Sequence, residues 1–151
     1  MKLRIQKLHP GAPVPVYSTD GAAAFDLFAT TVNGSDTAGN YVTPDHPVVV
    51  GTGLAFEVPP GYMLEIRSRS GLAFRYGVTA FPGPIDSDYR GEVKVLLTTN
   101  RAYGQSTGSK INPGARIAQG VLVAVPRCEF EVCEQLTLTD RAAGGFGSTG
   151  K

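Results

Sequence analysis

The sequence has no tryptophan, few cysteines and histidines, and no excess of charge of either sign, since 14 Lys and Arg stand against 13 Asp and Glu. Without a strong positive field, the chain has no long-range attraction for nucleic acid or an anionic membrane, so any anionic ligand must be held by local groups. The two histidines, His9 and His46, have no Cys or Asp companions at ligand spacing. No zinc site is therefore predicted.

Long apolar runs are also absent. The start, MKLRIQKLHPGAP, alternates and is basic, so it resembles neither the apolar stretch of a signal peptide nor a transmembrane span. Cys128 and Cys133 lie five residues apart on one predicted strand and would point to opposite faces, which disfavours an intrachain disulfide. These features predict a soluble, intracellular protein of the cytoplasm that does not enter a membrane.

The composition predicts one domain made of short strands. With 151 residues, 42 % of them hydrophobic, the chain has the size and apolar content of a single domain with its own core. It contains 19 Gly and 11 Pro, which interrupt it too often for long helices. No internal repeat and no interdomain linker is visible.

Short apolar or alternating runs between turn signals predict an all-β fold of the sandwich, barrel or jelly-roll type. One helix of about two turns is predicted at SGLAFRYG, from Ser70 to Gly77. Thr30 to Asn40 and Ala102 to Lys110 are small, polar and aperiodic, as surface loops are. The predicted strands are LRIQKL near the start, VVVGTGLAFEV from Val48, YMLEIRS from Tyr62, EVKVLLTTN from Glu92, RIAQGVLVAV from Arg116 and EFEVCEQL from Glu129.

The segment GPIDSDYRGEV, from Gly83 to Val93, holds the densest set of candidate catalytic groups. Its prolines and glycine predict an irregular turn, and the strand after it would place Asp86, Asp88 and Tyr89 at a rigid hairpin. Ile85 suggests apolar packing beside Asp86, and a partly desolvated carboxylate is a better general base than a fully hydrated one. The alternative is that such aspartates only bind backbone amides of the turn.

Three other segments carry polar groups in suggestive places. RSRSGLA puts the Arg69 guanidinium and the Ser70 hydroxyl at a helix start, where free amides favour an anion; the alternative is a helix cap with solvated arginines. RIAQ opens an apolar strand with a long donor at each end, Arg116 and Gln119. DGAAAFDLFAT puts Asp26 within an apolar stretch, which either a site or an edge strand would explain.

The last residues, GGFGSTGK from Gly144, have the composition of a phosphate loop, but we expect no helix to follow them. A tail of Gly, Ser and Thr with one aromatic residue, Phe146, buries too little apolar surface to offset its backbone entropy. Alone, this tail should be mobile.

In order and spacing, these segments resemble the five motifs of the trimeric dUTPase family: DGAAAFDLFA, RSRSGLA, GPIDSDYRGEV, RIAQ and RAAGGFGSTG, which together span nearly the whole chain. The resemblance implies a jelly-roll-like, distorted β-barrel subunit with one short helix. Residues 1–139 would form the β domain and residues 140–151 a mobile C-terminal arm. It also implies a homotrimer with active sites at subunit interfaces, each closed by the arm of a neighbouring subunit.

The activity implied by the resemblance is hydrolysis of dUTP to dUMP and pyrophosphate with Mg²⁺, which limits uracil incorporation into DNA and supplies dUMP for thymidylate synthesis. Asp86 would activate the water that attacks the α-phosphorus, and Tyr89 would pack under the deoxyribose, where a 2′-hydroxyl would clash. Asp26 would orient the hydrated metal, which the triphosphate mainly holds. The implied substrate contacts are backbone groups of Gly83 and Ile85 on the uracil edge, Arg69, Ser70, Gly71 and Gln119 on the triphosphate, Phe146 on the uracil ring, and Arg141, Gly147, Ser148 and Thr149 around the phosphates.

Some positions depart from the commonest family pattern. Ala24 and Phe25 stand where Gly and Tyr are frequent, Ala80 where many relatives carry Asn, and Ala142 where Gly is frequent, which should stiffen the arm slightly. Two other functions stay open: a dCTP deaminase-like enzyme of the same fold, and a nucleotide-gated regulatory protein that binds partners through its extended loops. The Ser-Asp-Tyr order ending at Tyr89 and the Phe-Gly-Ser-Thr tail favour dUTP hydrolysis over deamination.

Overall fold

Short strands and one helix make up the protein in the computed structural model, which describes residues 1–99 and 109–144. The prediction of an all-β fold with one short helix is confirmed. In chain order the elements are β1 (Arg4–Lys7), β2 (Phe25–Phe28), β3 (Thr31–Val32), β4 (Asn40–Val42), β5 (Val48–Gly51), β6 (Leu54–Glu57), β7 (Tyr62–Ser68), α1 (Ser70–Tyr76), β8 (Val78–Ala80), β9 (Gly83–Ile85), β10 (Lys94–Thr99), β11 (Ser109–Ile111) and β12 (Arg116–Ala124).

The strands pair antiparallel in two larger and two smaller sheets. One four-stranded sheet has the order β3-β5-β10-β8 and the other β2-β12-β7-β9, while β1 pairs with β6 and β4 with β11. Most neighbours in a sheet are distant in sequence, so the chain crosses repeatedly from one sheet to another, as it does in jelly rolls. The second four-stranded sheet carries Asp26 on β2 and Gln119 on β12, and its edge strand β9 leads into Asp86.

The core is built from buried side chains of the strands, some at alternate positions, as in β10, and some at consecutive positions, as in β6. Phe25 and Phe56 stack with their ring centroids 6.2 Å apart. Gly120 makes room for this pair, because a Cβ there would come 2.6 Å from the Phe25 ring. The largest fully buried side chains are Phe56, Leu27, Leu54, Leu64, Leu97, Ile111, Ile117, Val32, Val42, Val48, Val50 and Val58.

The predicted strand from Val48 is in fact two strands that belong to different sheets. β5 pairs with β3 and β10, whereas β6 pairs with β1. The chain turns between them at Gly53, whose φ of 65° is open to glycine but costly for other residues. The turn is fixed by Thr52, whose Oγ1 donates to the carbonyl of Val93 at 2.7 Å, and by the Gly53 amide, which donates to the Glu92 carboxylate at 2.9 Å.

The predicted loop from Thr30 to Asn40 contains regular structure, so this prediction is wrong in part. Its start forms β3, and Asn33 and Gly34 follow with φ values of 47° and 85°. Positive φ at both central residues is the mark of a two-residue type I′ hairpin turn, for which Asn-Gly is the preferred sequence. In the second predicted loop, Ser109 and Lys110 belong to β11, and residues 102–108 lie outside the described part of the chain.

The helix is the one predicted. α1 ends at Gly77, which has a φ of 63° and donates its amide to the carbonyls of Ala73 and Leu72 as a left-handed C-cap. The helix has no buried residue, and Phe74 is 89 % exposed. No helix in the described ranges is both long and apolar enough to cross a bilayer.

The predicted strand from Glu129 does not form, and that prediction is wrong. Residues 125–144 contain no strand, and Cys128 and Cys133 are exposed free thiols on this segment. The alternating pattern is nevertheless real. It presents apolar side chains at even-numbered positions, between 81 % and 99 % exposed, and no strand of the described residues pairs with them: Phe130, Val132, Leu136 and Leu138.

Candidate functional site

A buried carboxylate, Asp26, is the centre of a polar cluster. Its Oδ1 accepts hydrogen bonds from Arg69 Nε at 3.0 Å and Gln119 Nε2 at 3.3 Å, and its Oδ2 accepts one from Arg116 Nη1 at 3.2 Å. Asp26 is 7 % exposed, and a buried charge is tolerated when it is paired and hydrogen-bonded. Two guanidiniums face one carboxylate, so these four residues, the Asp26 cluster, keep a net positive charge that suits an anion.

Sheet register brings the members of the Asp26 cluster together. Gln119 on β12 pairs directly with Asp26 on β2. β2 is an edge strand, which was one of the two explanations for an aspartate within an apolar stretch. Arg116 and Gln119 are three residues apart and would point to opposite faces of a regular strand. A shift of register between Arg116 and Ala118 lets both side chains reach the same carboxylate. The sequence alone does not assign Arg116 to the site, because the alternation of side chains along a strand does not predict this irregularity.

Arg69 is at the start of the helix but does not cap it. It occupies the N-cap position of α1 without a side-chain cap hydrogen bond. Its guanidinium turns back to Asp26 and donates from Nη1 to the carbonyl of Arg116 at 3.3 Å. The alternative of a helix cap with solvated arginines is therefore wrong for Arg69, whose side chain is only 20 % exposed. Arg67 does lie at the surface, where it pairs with Glu65.

The predicted phosphate-binding residues Ser70 and Gly71 are the first two residues of α1, directly beside Arg69. The segment before them is fastened to β8, since the Ser68 hydroxyl accepts from the amide of Ala80 at 3.0 Å and donates to its carbonyl at 3.2 Å. Ala80 itself is buried. The structure thus joins Asp26, Arg69, Ser70, Gly71 and Gln119 in one region.

The second part of the candidate site surrounds Asp86. Gly83–Ile85 form the edge strand β9, paired with β7, and not the irregular turn expected from the prolines. Pro84 is compatible with an edge strand, which does not need every amide as a donor. The turn follows β9 instead, between Asp86 and Tyr89, where the amide of Tyr89 donates to the carbonyl of Asp86 at 3.2 Å. The next strand, β10, begins only at Lys94.

Asp86 is exposed and faces an open cavity of about 310 Å³. Within one chain, Asp86 is therefore not partly desolvated, contrary to what its neighbour Ile85 suggested. Ile85 itself does pack against the core. The cavity is lined by Tyr62 and Met63 of β7, by Asp88, and by Arg127.

The predicted rigidity of the hairpin is supported by its hydrogen bonds. Arg90 Nη1 donates to the carbonyl of Ser87 at 2.7 Å and to that of Tyr89 at 2.9 Å. The Tyr89 hydroxyl donates to the carbonyl of Glu92 at 3.2 Å. One guanidinium and one phenol thus hold the backbone that carries Asp86.

A single chain does not bring the two parts together. β9 pairs with β7 so that Ile85 lies opposite Leu64, close to the first residues of β7. Asp86 follows Ile85 and therefore lies at this end of β7, near Met63. Arg69 follows the opposite end of β7, six residues further along the chain. At the rise of an extended strand this separates the Asp86 backbone from the Asp26 cluster by roughly 20 Å.

The arm residues Phe146, Gly147, Ser148 and Thr149 lie outside the described residues. Of the predicted arm contacts, Arg141 is described; it is exposed and its Nε donates to the carbonyl of Gly144 at 2.9 Å. Ala142 has a φ of 42°, the left-handed region in which glycine is favoured.

The described residues contain no group of three or more His, Cys, Asp or Glu that could hold a metal ion. Two carboxylate oxygens offer about four acceptor positions. At Asp26, protein donors occupy three of these, so the residue can accept one further hydrogen bond from a metal-bound water. Direct coordination of a cation at that position is opposed by the two guanidiniums beside it, so the residues fit a hydrated metal held mainly by another group.

Solved structures define the class of fold. The protein is similar to the dUTPase of Staphylococcus bacteriophage 80alpha, with a TM-score of 0.84 and 22 % identity over 99 % of both chains. It is also similar to the dUTPase of phage phi11 of S. aureus, with a TM-score of 0.75 and 21 % identity over 90 % of this chain and 98 % of that chain. These similarities confirm the jelly-roll-like β fold.

Sequence comparison then identifies the family. The chain is 47 % identical to the deoxyuridine 5'-triphosphate nucleotidohydrolase of Nautilia profundicola over the full length of both. It is 46 % identical to that of Wolinella succinogenes, covering 100 % of this chain and 95 % of the relative. A model of the dUTPase family matches residues 11–150. The chain belongs to the dUTPase family.

Proposed function

We propose that this protein is a dUTP diphosphatase, which hydrolyses dUTP to dUMP and pyrophosphate by attack of water on the α-phosphorus. Full-length relatives at 42 % to 47 % identity are named deoxyuridine 5'-triphosphate nucleotidohydrolase, and the phage 80alpha dUTPase was solved with dUpNHpp. The observation that carries the proposal is the Asp26 cluster, a preformed cationic site at a helix start. The reaction limits uracil incorporation into DNA and supplies dUMP for thymidylate synthesis.

The triphosphate binds at the Asp26 cluster. Arg69 and Gln119 are held by Asp26 and keep further donor hydrogens free for phosphate oxygens. Ser70 and Gly71 add free backbone amides of the first helical turn. A guanidinium fixed before the substrate arrives stabilises developing negative charge without reorganising, which is the largest contribution in many phosphate-transfer sites.

The nucleoside binds at the Asp86 hairpin. β9 is an edge strand whose outer side has no partner among the described strands, and we place the uracil edge against its backbone around Gly83 and Ile85. Tyr89 packs under the deoxyribose, and Asp86 accepts the proton of the attacking water. A positioned general base is worth about 10² to 10⁴ in rate, so charge stabilisation and in-line positioning supply the larger share.

Mg²⁺ is the proposed cofactor. When bound, the ion neutralises charge on the triphosphate and polarises the phosphorus that is attacked. Asp26 holds one of the waters of the ion, while its other acceptor positions keep the arginines in place. A structure of the phi11 dUTPase is described with a structural Mg(II) ion, which supports magnesium in the family.

The active enzyme is a homotrimer whose sites lie between subunits. A general base must approach the reacting water to about 3 Å, yet Asp86 and the Asp26 cluster of one chain are roughly 20 Å apart. Asp86 of one copy and the cluster of another can form one site. The exposed apolar side chains from Phe130 to Leu138 are further surface that a neighbouring copy would bury. Residues 140–151 act as an arm, from which Arg141, Phe146, Gly147, Ser148 and Thr149 contact the substrate.

The test is pyrophosphate release from dUTP, beside dCTP, dTTP and UTP, with Mg²⁺ present. We expect hydrolysis of dUTP only, and a loss of at least about 10² in kcat for Asp86→Asn. Asp88→Asn is the matched control, because it removes a carboxylate from the same turn and the same cavity.

Deamination of dCTP would move the assignment to the deaminase of the same fold. An equal loss in Asp86→Asn and Asp88→Asn would reject Asp86 as the specific base. No turnover of any of the four nucleotides would reject the enzyme and leave a nucleotide-gated regulatory protein.

A further inference from the structure

The ring of Tyr89 lies directly against the backbone of Gly91. A Cβ atom on residue 91 would come 2.5 Å from Cζ and 3.0 Å from Cε2 of Tyr89, and closer still to Oη. Cβ atoms do not approach other heavy atoms so closely. Any side chain at position 91 would therefore push the Tyr89 ring out of its present place.

The same hydroxyl end of the ring is also held by a hydrogen bond. The Tyr89 hydroxyl donates to the carbonyl of Glu92 at 3.2 Å, and the Glu92 carboxylate in turn accepts from the amide of Gly53 at 2.9 Å. The ring thus lies over residue 91 and is tied to residue 92, which is itself anchored to the turn between β5 and β6. Tyr89 remains 45 % exposed, so its free face is open to a ligand.

We infer that Gly91 is a positioning residue that sets the discrimination between deoxyribose and ribose. The inference rests on the proposed function, in which the sugar packs on Tyr89. With no side chain at position 91, the ring lies low against the backbone and its hydroxyl reaches the Glu92 carbonyl. This fixes the height of the surface on which the sugar lies, and therefore whether a 2′-hydroxyl fits.

Displacing the ring should alter selectivity more than folding. The hairpin backbone is held separately by the two hydrogen bonds from Arg90, which do not involve the Tyr89 ring. A side chain at position 91 turns the ring aside, which leaves space for the additional hydroxyl of UTP. This movement reduces the ratio of kcat/KM for dUTP over UTP, because steric selection depends on a close fit.

The experiment compares kcat/KM for dUTP and UTP in the wild type, Gly91→Ala and Gly21→Ala. Gly21 is the matched control, because it is exposed, lies outside the hairpin, and would place an added methyl group more than 4 Å from every described residue except its direct neighbours. We expect the dUTP-to-UTP ratio to fall by about tenfold or more in Gly91→Ala and to stay unchanged in Gly21→Ala. Equal losses for both substrates in Gly91→Ala, with the ratio unchanged, would overturn the inference.

Thermal unfolding of Gly91→Ala shows whether the variant is folded. If it is not, Tyr89→Phe decides, since it keeps the ring and removes only the bond to Glu92. We then expect a fall in the ratio of about threefold, and an unchanged ratio would contradict the proposed positioning. Failure of the wild type to prefer dUTP would instead reject the proposed function, and the inference with it.

Discussion

Asp26 illustrates how much of the candidate site depends on one side chain. It accepts hydrogen bonds from Arg69, Arg116 and Gln119, which come from three separate positions of the chain. Its apolar neighbours in sequence made it conspicuous, but its role as a shared acceptor follows only from the pairing of β2 with β12. The sequence therefore predicts that Asp26 matters and does not predict what it contacts.

Replacing Asp26 should cost stability as well as activity. In Asp26→Asn, two guanidiniums lose the charge that balances them, so we expect the free energy of unfolding to fall by about 2–4 kcal/mol. Urea unfolding measures this. Asp36→Asn is the control, because Asp36 is exposed and its 3.7 Å contact with His9 should contribute less than about 1 kcal/mol. Similar small losses in both variants would show that Asp26 is not the acceptor that stabilises the cluster.

At the scale of elements, the sequence predicts strands and the helix well where one run of residues belongs to one sheet. The start and end of β7 agree with the apolar run from Tyr62, and α1 ends at the glycine expected. The run from Val48 is misread, because alternation continues through Thr52 and Gly53 while hydrogen-bond partners change there. Changes of partner depend on distant strands and leave no local pattern.

The turn between β5 and β6 should be sensitive to a side chain at position 53. Gly53→Ala combines a left-handed φ with contacts of 2.9 Å to the Cβ atoms of His9 and Ala12, so we expect a loss of about 2–5 kcal/mol in the free energy of unfolding. Gly61→Ala separates the two causes. Gly61 has a φ of 81° and open space around it, so the loss there should be about 1–2 kcal/mol. Equal losses would mean that crowding at Gly53 contributes nothing.

For the whole molecule, the candidate site is predicted from sequence as a set of residues but not as a place. The motifs group Asp86 with Arg69 and Gln119, whereas the structure separates them along β7. No rule of spacing along the sequence reveals that these residues lie at opposite ends of one strand. The same reason explains the wrong strand from Glu129, since its pattern has no pairing partner among the described strands of its own chain.

If each site combines Asp86 of one copy with the Asp26 cluster of another, two inactive variants should complement each other. Asp86→Asn and Arg69→Ala subunits, unfolded together and refolded, should recover about a quarter of the wild-type activity, because one site in four then pairs two intact halves. Arg69→Ala mixed with Gln119→Ala should recover none, since every site keeps one defect in the cluster. No recovery in the first mixture would mean that each chain builds its own site.

The exposed apolar residues from Phe130 to Leu138 also have a consequence for biosynthesis. They follow β12, the strand that joins β2 to β7, so a ribosome completes every described strand of the subunit before it makes the segment that a second copy would cover. Domains generally fold as units during synthesis. If a second copy covers this segment, β12 is therefore made immediately before the assembly surface, and completion of the second four-stranded sheet coincides with the appearance of that surface.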